Sequence, residues 1–445
     1  MKRICLIVLS FFALLMSGCS NKSELYLTTA EPFTAEQLRD SDLQDIESDS
    51  NLENVQVYKK NGNTTAMFLY AAPIEHSHNH IIKDGNGYLA EGSYFNKSFP
   101  VELSEVFPIE VSSNSNYARI YLPNRKAHGK SIKRENIFGL NKDAVVYEKA
   151  FENGEDYICY PTSFGVNTEI VIRKRTSTNK YQIKIQLPNL APDTSSPDYV
   201  LFKTALEKGD VKSLLYTPLA VDGNGNWSYA NSVKLIDKDS ENNIFTVEYI
   251  VDDAFLNDKN TKFPVTLNQS IHLYKSKQPD TSAYENTGDV ASHYLSPYIL
   301  LGDKTLKGEG WTYVRFGTLN SLDIDLEKIV SAKYVFRNLF DLKKEAKISA
   351  YAVKADWCSI NTRWFNRPPF DEKPISEVII KKSGDYKLDI TPLLVEMIKN
   401  KSEENAMYSI QNSFMIRSDT ENSNVIISSG DNGLFSPVLE IVLSE

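Results

Sequence analysis

The sequence predicts an all-β fold: a β-rich first body followed by a C-terminal β-sandwich, jelly-roll-like, with one short helix. Three observations predict it. After about residue 54, apolar and polar residues alternate at period two, the signature of strands with one buried face. Aromatics make up 11% of the chain, with 24 Tyr and 21 Phe, and large flat side chains pack well on pleated sheets. One stretch in the C-terminal third, "DITPLLVEMIKNK" at 389–401, carries a convincing helical period. The length, 445 residues, allows two or three domains. Hydrophobic and charged fractions of 41% and 24% are ordinary for a globular protein. The net charge of −9 is spread along the chain, which argues against a nucleic-acid partner.

In chain order, residues 1–18 come first and stand outside the fold. Lys2 and Arg3 supply a positive end, and Ile4 to Met16 form an apolar run too short to span a bilayer. Ser17 and Gly18 then precede Cys19. This segment resembles a bacterial lipoprotein signal, although Met16 stands where Leu is usual. The resemblance implies that Cys19 is the lipidated first residue of the mature chain, which then carries −11. An ordinary secretory signal is the alternative. Cys5 is lost with the signal, leaving Cys159 and Cys358, both in apolar, strand-like surroundings; they read as buried free thiols, with a disulfide joining the two bodies as the alternative. Residues 19–53 are polar and acidic and read as a flexible tether, with room for a short helix around "TAEQLRDSDLQDI".

Residues 54–272 read as the β-rich first body. "NVQVYKK", "TTAMFLYAAPI" and "ARIYLPN" are strand-like, and "KDGNG" turns the chain. "TEIVIRKRTSTNKYQIKIQLP" reads as a hairpin, with Ile170 and Ile172 on one strand and Ile183, Ile185 and Leu187 on the other. Residues 273–445 contain nine strand candidates at short spacing, the cadence of a β-sandwich: "YILLGD", "TYVRFGTL", "AKYVFRNLF", "KISAYAVKA", "EVIIKK", "YKLDI", "SFMIRS", "NVIISSG" and "VLEIVL". The helix among them has Thr391 as expected N-cap, Pro392 as first residue, and an apolar face of Leu393, Leu394, Met397 and Ile398.

Several of these pieces occur in a familiar order. "PDTSAY", "YILLG", "YVRFGTL", "IVSAKYVFRNL", "ADWCSINTRWFNRPPF", "YKLDITPLLVEMI", "SFMIRS" and "SPVLEIVL" together resemble the DNRLRE module, also classed as a family 96 carbohydrate-binding module. Arg363 to Pro368 is the most specific piece. The resemblance implies a β-sandwich associated with polysaccharide binding. Within 54–270, "VQVYKKNGNTTAMFLYAAPIEHSHN", "AVVYEKAFENGEDYICYPTSFGVNTEIVI", "LAVDGNGNWS" and "KFPVTLNQS" resemble the leader region of Rhs and wall-associated surface proteins. Asn167 stands where Lys is usual there, and Asn268 and Gln269 replace Asp-Pro.

Candidate sites follow from residue chemistry. His76, His78 and His80 in "HSHNH" share one face if extended, within reach of one Zn²⁺ or Cu²⁺, but no thiol or carboxylate at a supporting position completes the set, and an exposed polar hairpin end is the preferred reading. "DGNGNW" at Asp222 imitates a calcium loop but has Trp227 and Val233 where Gly and Glu are needed, so it reads as a turn. No nucleophile elbow, metalloprotease helix or phosphate loop is present, so no catalytic residue and no cofactor is assigned. Glu152, Glu155 and Asp156 read as a solvated turn. For sugar binding, aromatic rings stack on sugar faces and guanidinium groups pair with uronate carboxylates. Trp311, Tyr313, Arg315, Arg363 and Arg367 supply those types, while Trp357 and Trp364 read as core.

The expectation is a non-catalytic cell-surface lipoprotein, held to the membrane by a lipid on Cys19. It would bind a polysaccharide or cell-wall glycan, anionic polymers included, through its C-terminal sandwich. A display spacer without a specific ligand is the alternative, and a glycan hydrolase the third reading.

Overall fold

A computed structural model describes residues 43–47, 55–60, 64–70, 80–92, 95–113, 117–162, 165–196, 199–204, 211–273, 280–284, 296–302, 308–316, 319, 322–355, 357, 362–399, 413–430 and 435–444. Among them the chain is almost entirely antiparallel β, in four sheets, with helices at Asp253–Asn257 and Thr391–Lys399. The predicted all-β class holds. The sheets pair into two sandwiches, each with its own apolar core.

The first sandwich uses residues 81–273. One sheet contains the adjacent strands Ile244–Ile250, Lys180–Gln186 and Tyr117–Tyr121. The facing sheet has Val265–Leu273, Gly165–Ile172, Asp156–Thr162 and Asn141–Tyr147 side by side. Ile183, Ile185, Phe245 and Val247 from the first meet Tyr157, Ile170, Leu267 and Ile271 from the second. Cys159 lies in this core as a buried free thiol; Cys358 lies outside the described residues.

The hairpin expected between 168 and 187 does not form. Gly165–Ile172 pairs with Asp156–Thr162 and Val265–Leu273, whereas Lys180–Gln186 pairs with Tyr117–Tyr121 and Ile244–Ile250 in the opposite sheet. Residues 173–179 therefore carry the chain from one layer to the other, about 10 Å away. Asn179 anchors the link by donating to the Val251 carbonyl at 2.8 Å. Period two reports which face is buried; it does not report which strand lies alongside.

The second sandwich faces a sheet containing Tyr298–Leu301, Val425–Ser428, Ile329–Asn338 and Val438–Ser444 against one ordered Asp280–Tyr284, Gly310–Arg315, Ser413–Ser418, Ala346–Ala352, Ser376–Ile380. All nine strand candidates of this region are strands. The expected boundary at 272/273 needs correction, however. Thr64–Tyr70 pairs along its whole length with Val438–Ser444, and Val55–Lys60 and Leu43–Glu47 extend that sheet. Val55 and Leu69 are buried in the second core. Part of the expected tether is therefore strand, and the N-terminal strands complete the C-terminal sandwich. They cover what would otherwise be an open sheet edge at Val438–Ser444.

Two details explain sequence features. Gly302, which ends the "YILLG" strand, has φ +70°, and a Cβ there would meet the Thr420 carbonyl at 3.0 Å and the Ser423 hydroxyl closer still. The helix Thr391–Lys399 buries Leu393, Leu394 and Met397 as its pattern predicts. Thr391 is not its N-cap: Leu394 N–H donates to the Ile390 carbonyl, and the Thr391 hydroxyl instead accepts the Ala332 N–H at 2.8 Å.

The sandwiches meet through a third cluster. Leu214, Tyr216, Leu219 and Tyr229 of the first pack on Tyr298, Leu300, Phe340 and Phe435 of the second. Phe138 reaches across, with its ring 6.2 Å from Tyr298 and 6.1 Å, edge-on, from Phe435. The Tyr298 hydroxyl donates to Asn268 Oδ1 at 2.8 Å, so a polar bond joins the bodies inside an apolar seam.

Candidate functional site

The sequence-singled residues of the C-terminal sandwich converge on the outer face of its five-stranded sheet. In Gly310–Arg315 the alternation sends Val314 into the core and Trp311, Tyr313 and Arg315 outward. Tyr313, Met415 and Tyr351 are direct neighbours across three strands and extend this outward row. Residues 353–355, 357 and 362–370 lie over the face. They are fastened where Lys354 N–H donates to the Pro369 carbonyl (2.8 Å) and Asp371 N–H to the Ala352 carbonyl (2.9 Å). The result is a second aromatic layer: Tyr313, Tyr351 and Trp357 buried, Trp311, Trp364 and Phe370 half-buried.

Guanidinium groups interleave with these rings. Arg367 lies over two adjacent indoles, its central carbon 3.8 Å from the Trp364 centroid and 4.2 Å from the Trp311 centroid. The indoles themselves are 5.0 Å apart at 53°. Arg367 also donates to the Trp364 carbonyl, and it has no carboxylate partner among the described residues. Arg315 sits 4.4 Å over Trp357 and donates to the Trp357 carbonyl at 2.7 Å. Arg417 lies against Tyr351 and Phe370, but Asp419 at 2.9 Å offsets its charge. Cations over π faces attract through the ring quadrupole, by about 0.5–2 kcal/mol each. Arg367 is thus a fixed cation whose charge no described acid neutralises.

Of the expected sugar-contacting residues, Trp311, Arg315 and Arg367 share this face. Arg363 opens the turn that carries Arg367, its N–H donating to Asn366 Oδ1 at 2.7 Å. Tyr313 does not qualify. It is 0% exposed, and its hydroxyl donates to the Pro368 carbonyl at 2.9 Å. Being outward-facing on the strand placed it beneath the covering loop, not in solvent. Trp357 is buried as read, whereas Trp364 is half-exposed beside Arg367. Arg417, Phe370 and Phe365 were missed. The outward alternation of Met415 and Arg417 in "SFMIRS" was the available signal, usable only once its partner strands are known.

The other candidates separate. His80 is exposed, with Nδ1 3.2 Å from Asp143 Oδ2; His76 and His78 lie outside the described residues, as does Cys19. Among the described residues, no three His, Cys, Asp or Glu side chains gather as a metal site. Asp222 Oδ1 accepts the N–H groups of Asn224 and Asn226, both at 2.9 Å, and Oδ2 accepts that of Lys262, which makes "DGNGNW" a hairpin turn. Glu155 and Asp156 are not solvated as expected. Both are buried, accepting the Asn153 and Lys149 N–H groups at 3.0 Å and so holding the turn together. Nearby, Arg125, Glu152, Gln182 and Glu248 line an open groove of about 470 Å³. There Gln182 donates to Glu248 at 3.0 Å and Lys180 lies 3.6 Å from it.

One buried acid was invisible in the sequence. Glu169, beneath the seam between the sandwiches, accepts the Ile137 N–H at 3.0 Å and the Tyr160 hydroxyl at 3.1 Å. Burial pushes its carboxyl up to about 7, against the lowering effect of those donors and of Arg134.

No family model matches this chain, and no curated protein matches it. Among solved structures, it is similar to the N-terminal CBM22-1–CBM22-2 tandem domain of Paenibacillus barcinonensis Xyn10C. The identity is 10% over 75% of this chain and 100% of that one, with a TM-score of 0.15. It is also similar to the exo-β-1,3-galactanase of Phanerochaete chrysosporium, at 10% identity over 88% of this chain and 95% of that one, with a TM-score of 0.11. Likenesses at these TM-scores carry no argument about function.

Proposed function

We propose that this chain is a non-catalytic, lipid-anchored surface protein that binds a polysaccharide or cell-wall glycan, anionic polymers foremost, through the outer face of its C-terminal sandwich. The observation that supports this reading is Arg367, held over the rings of Trp311 and Trp364 without a described carboxylate partner. A uronate or other acidic sugar offers both a carboxylate for the guanidinium and an apolar C–H face for aromatic edges. Fixing the cation in advance lowers the entropy lost on binding.

A second reading, the display spacer, also has an observation behind it. Arg315 and Arg367 bond loop carbonyls and cover the indoles, as a purely structural staple would. Binding measurements separate the two. The full chain should bind alginate or pectin saturably and more weakly at moderate than at low salt, and Arg367→Ala should abolish binding while leaving the fold intact. Absence of binding to the whole panel by folded protein supports the spacer.

A further inference from the structure

We propose that Phe365 is the platform on which a sugar ring of the bound polymer stacks, with the Arg367 guanidinium two residues on taking the acid group. This rests on the glycan-binding reading above and names its stacking residue and ligand class: an acidic polysaccharide whose sugars expose an apolar C–H face.

The argument is one of elimination among rings. On this side of the sandwich, both indoles beneath Arg367 give their faces to its guanidinium. Trp357 is covered by Arg315 and is buried. Phe370 is engaged in T-shaped contacts with Trp311 at 4.8 Å and Tyr351 at 5.1 Å, and Arg417 lies against its ring. Phe365 differs from all of them. It is 62% exposed and has no ring or cation partner among the described residues.

Its exposure is not that of a loose loop. The preceding Trp364 is clamped by Arg367. The following Asn366 closes the turn by accepting the Arg363 N–H. The Pro368 carbonyl is fixed by the Tyr313 hydroxyl. Every residue from 363 to 368 except Phe365 thus has a structural bond or contact, and together they hold an apolar ring out in water. An apolar ring held in water two residues from a cation that no described acid neutralises suits a ligand with one apolar and one anionic side.

The test compares the full chain with Phe365→Ala, Phe365→Leu and Phe365→Trp against alginate, pectin and a neutral glucan. Unfolding midpoints are measured in parallel. Wild-type binding to an acidic polymer, weakened about tenfold or more in the Ala and Leu variants and retained in the Trp variant at unchanged stability, supports the proposal. Wild-type binding that all three variants share overturns the role of Phe365 and leaves the glycan reading standing. Binding to the neutral glucan equal to that of the acidic polymers overturns the assigned ligand class. No binding by folded wild-type protein removes the glycan reading and this inference with it.

Discussion

Glu169→Gln should stabilise the protein at neutral pH and hardly at all in mild acid. Glu169 is 1% exposed and lies opposite Asn268, the residue that accepts the Tyr298 hydroxyl across the seam. Its carboxyl sits at about 7 in the native state against an ordinary 4.5. Because the folded-state value is raised, the native protein holds a proton that the unfolded chain has released between those limits. Stability from this group is therefore full below about pH 4.5 and is lost as pH rises toward 7. The difference corresponds to about 3 kcal/mol. Glutamine keeps an oxygen for the Ile137 N–H and offers its amide N–H to the Tyr160 oxygen, but it cannot ionise. In urea titrations, the variant should gain under about 1 kcal/mol over wild type at pH 5 and about 3 kcal/mol at pH 7 to 8. A difference that does not change with pH, or a variant less stable at pH 8, would refute the reasoning.

Three other outcomes follow from the packing. Leu69→Ala should cost about 2–5 kcal/mol, since Leu69 is fully buried in the second core despite its place near the N-terminus; a cost below 1 kcal/mol in denaturant titration would contradict the pairing of Thr64–Tyr70 with Val438–Ser444. Tyr298→Phe should cost about 1–2 kcal/mol by leaving Asn268 short of a donor inside the seam, and a neutral result would count against that polar bond. Arg367→Ala should cost about 1–3 kcal/mol by removing two cation–π contacts and should change the near-ultraviolet circular dichroism of the two indoles; an unaltered spectrum would argue against the clamp.

What the sequence made legible was local. Alternation in "KISAYAVKA" and "SFMIRS" located strands and their outward residues, because burial on one face imposes period two whatever the partner strand. The apolar stripe of 391–399 did the same for the helix. Pairing was not legible. Nothing in "TTAMFLY" names Val438–Ser444 as its neighbour, since the ladder is made by backbone groups common to all residues. For the same reason "TEIVI" and "YQIKIQ" passed for a hairpin although they lie in opposite sheets. At the candidate site, the residue types were readable in Trp311, Arg315 and Arg367, but the loop that buries Tyr313 was not. Glu169 was hidden because a lone Glu in an apolar strand reads as its solvent face until a second sandwich covers it.

The tryptophans offer the most direct measurement. Of the four, Trp311, Trp357 and Trp364 belong to the outer face, and Trp227 lies in the seam between sandwiches. In a full-length Trp227→Phe background, indole fluorescence therefore reports the proposed site alone. Adding alginate or pectin should change that fluorescence saturably, at the same midpoint as binding measured by calorimetry, with both signals absent in Arg367→Ala. Calorimetric binding without any change in fluorescence would place the ligand elsewhere on the molecule and contradict the account.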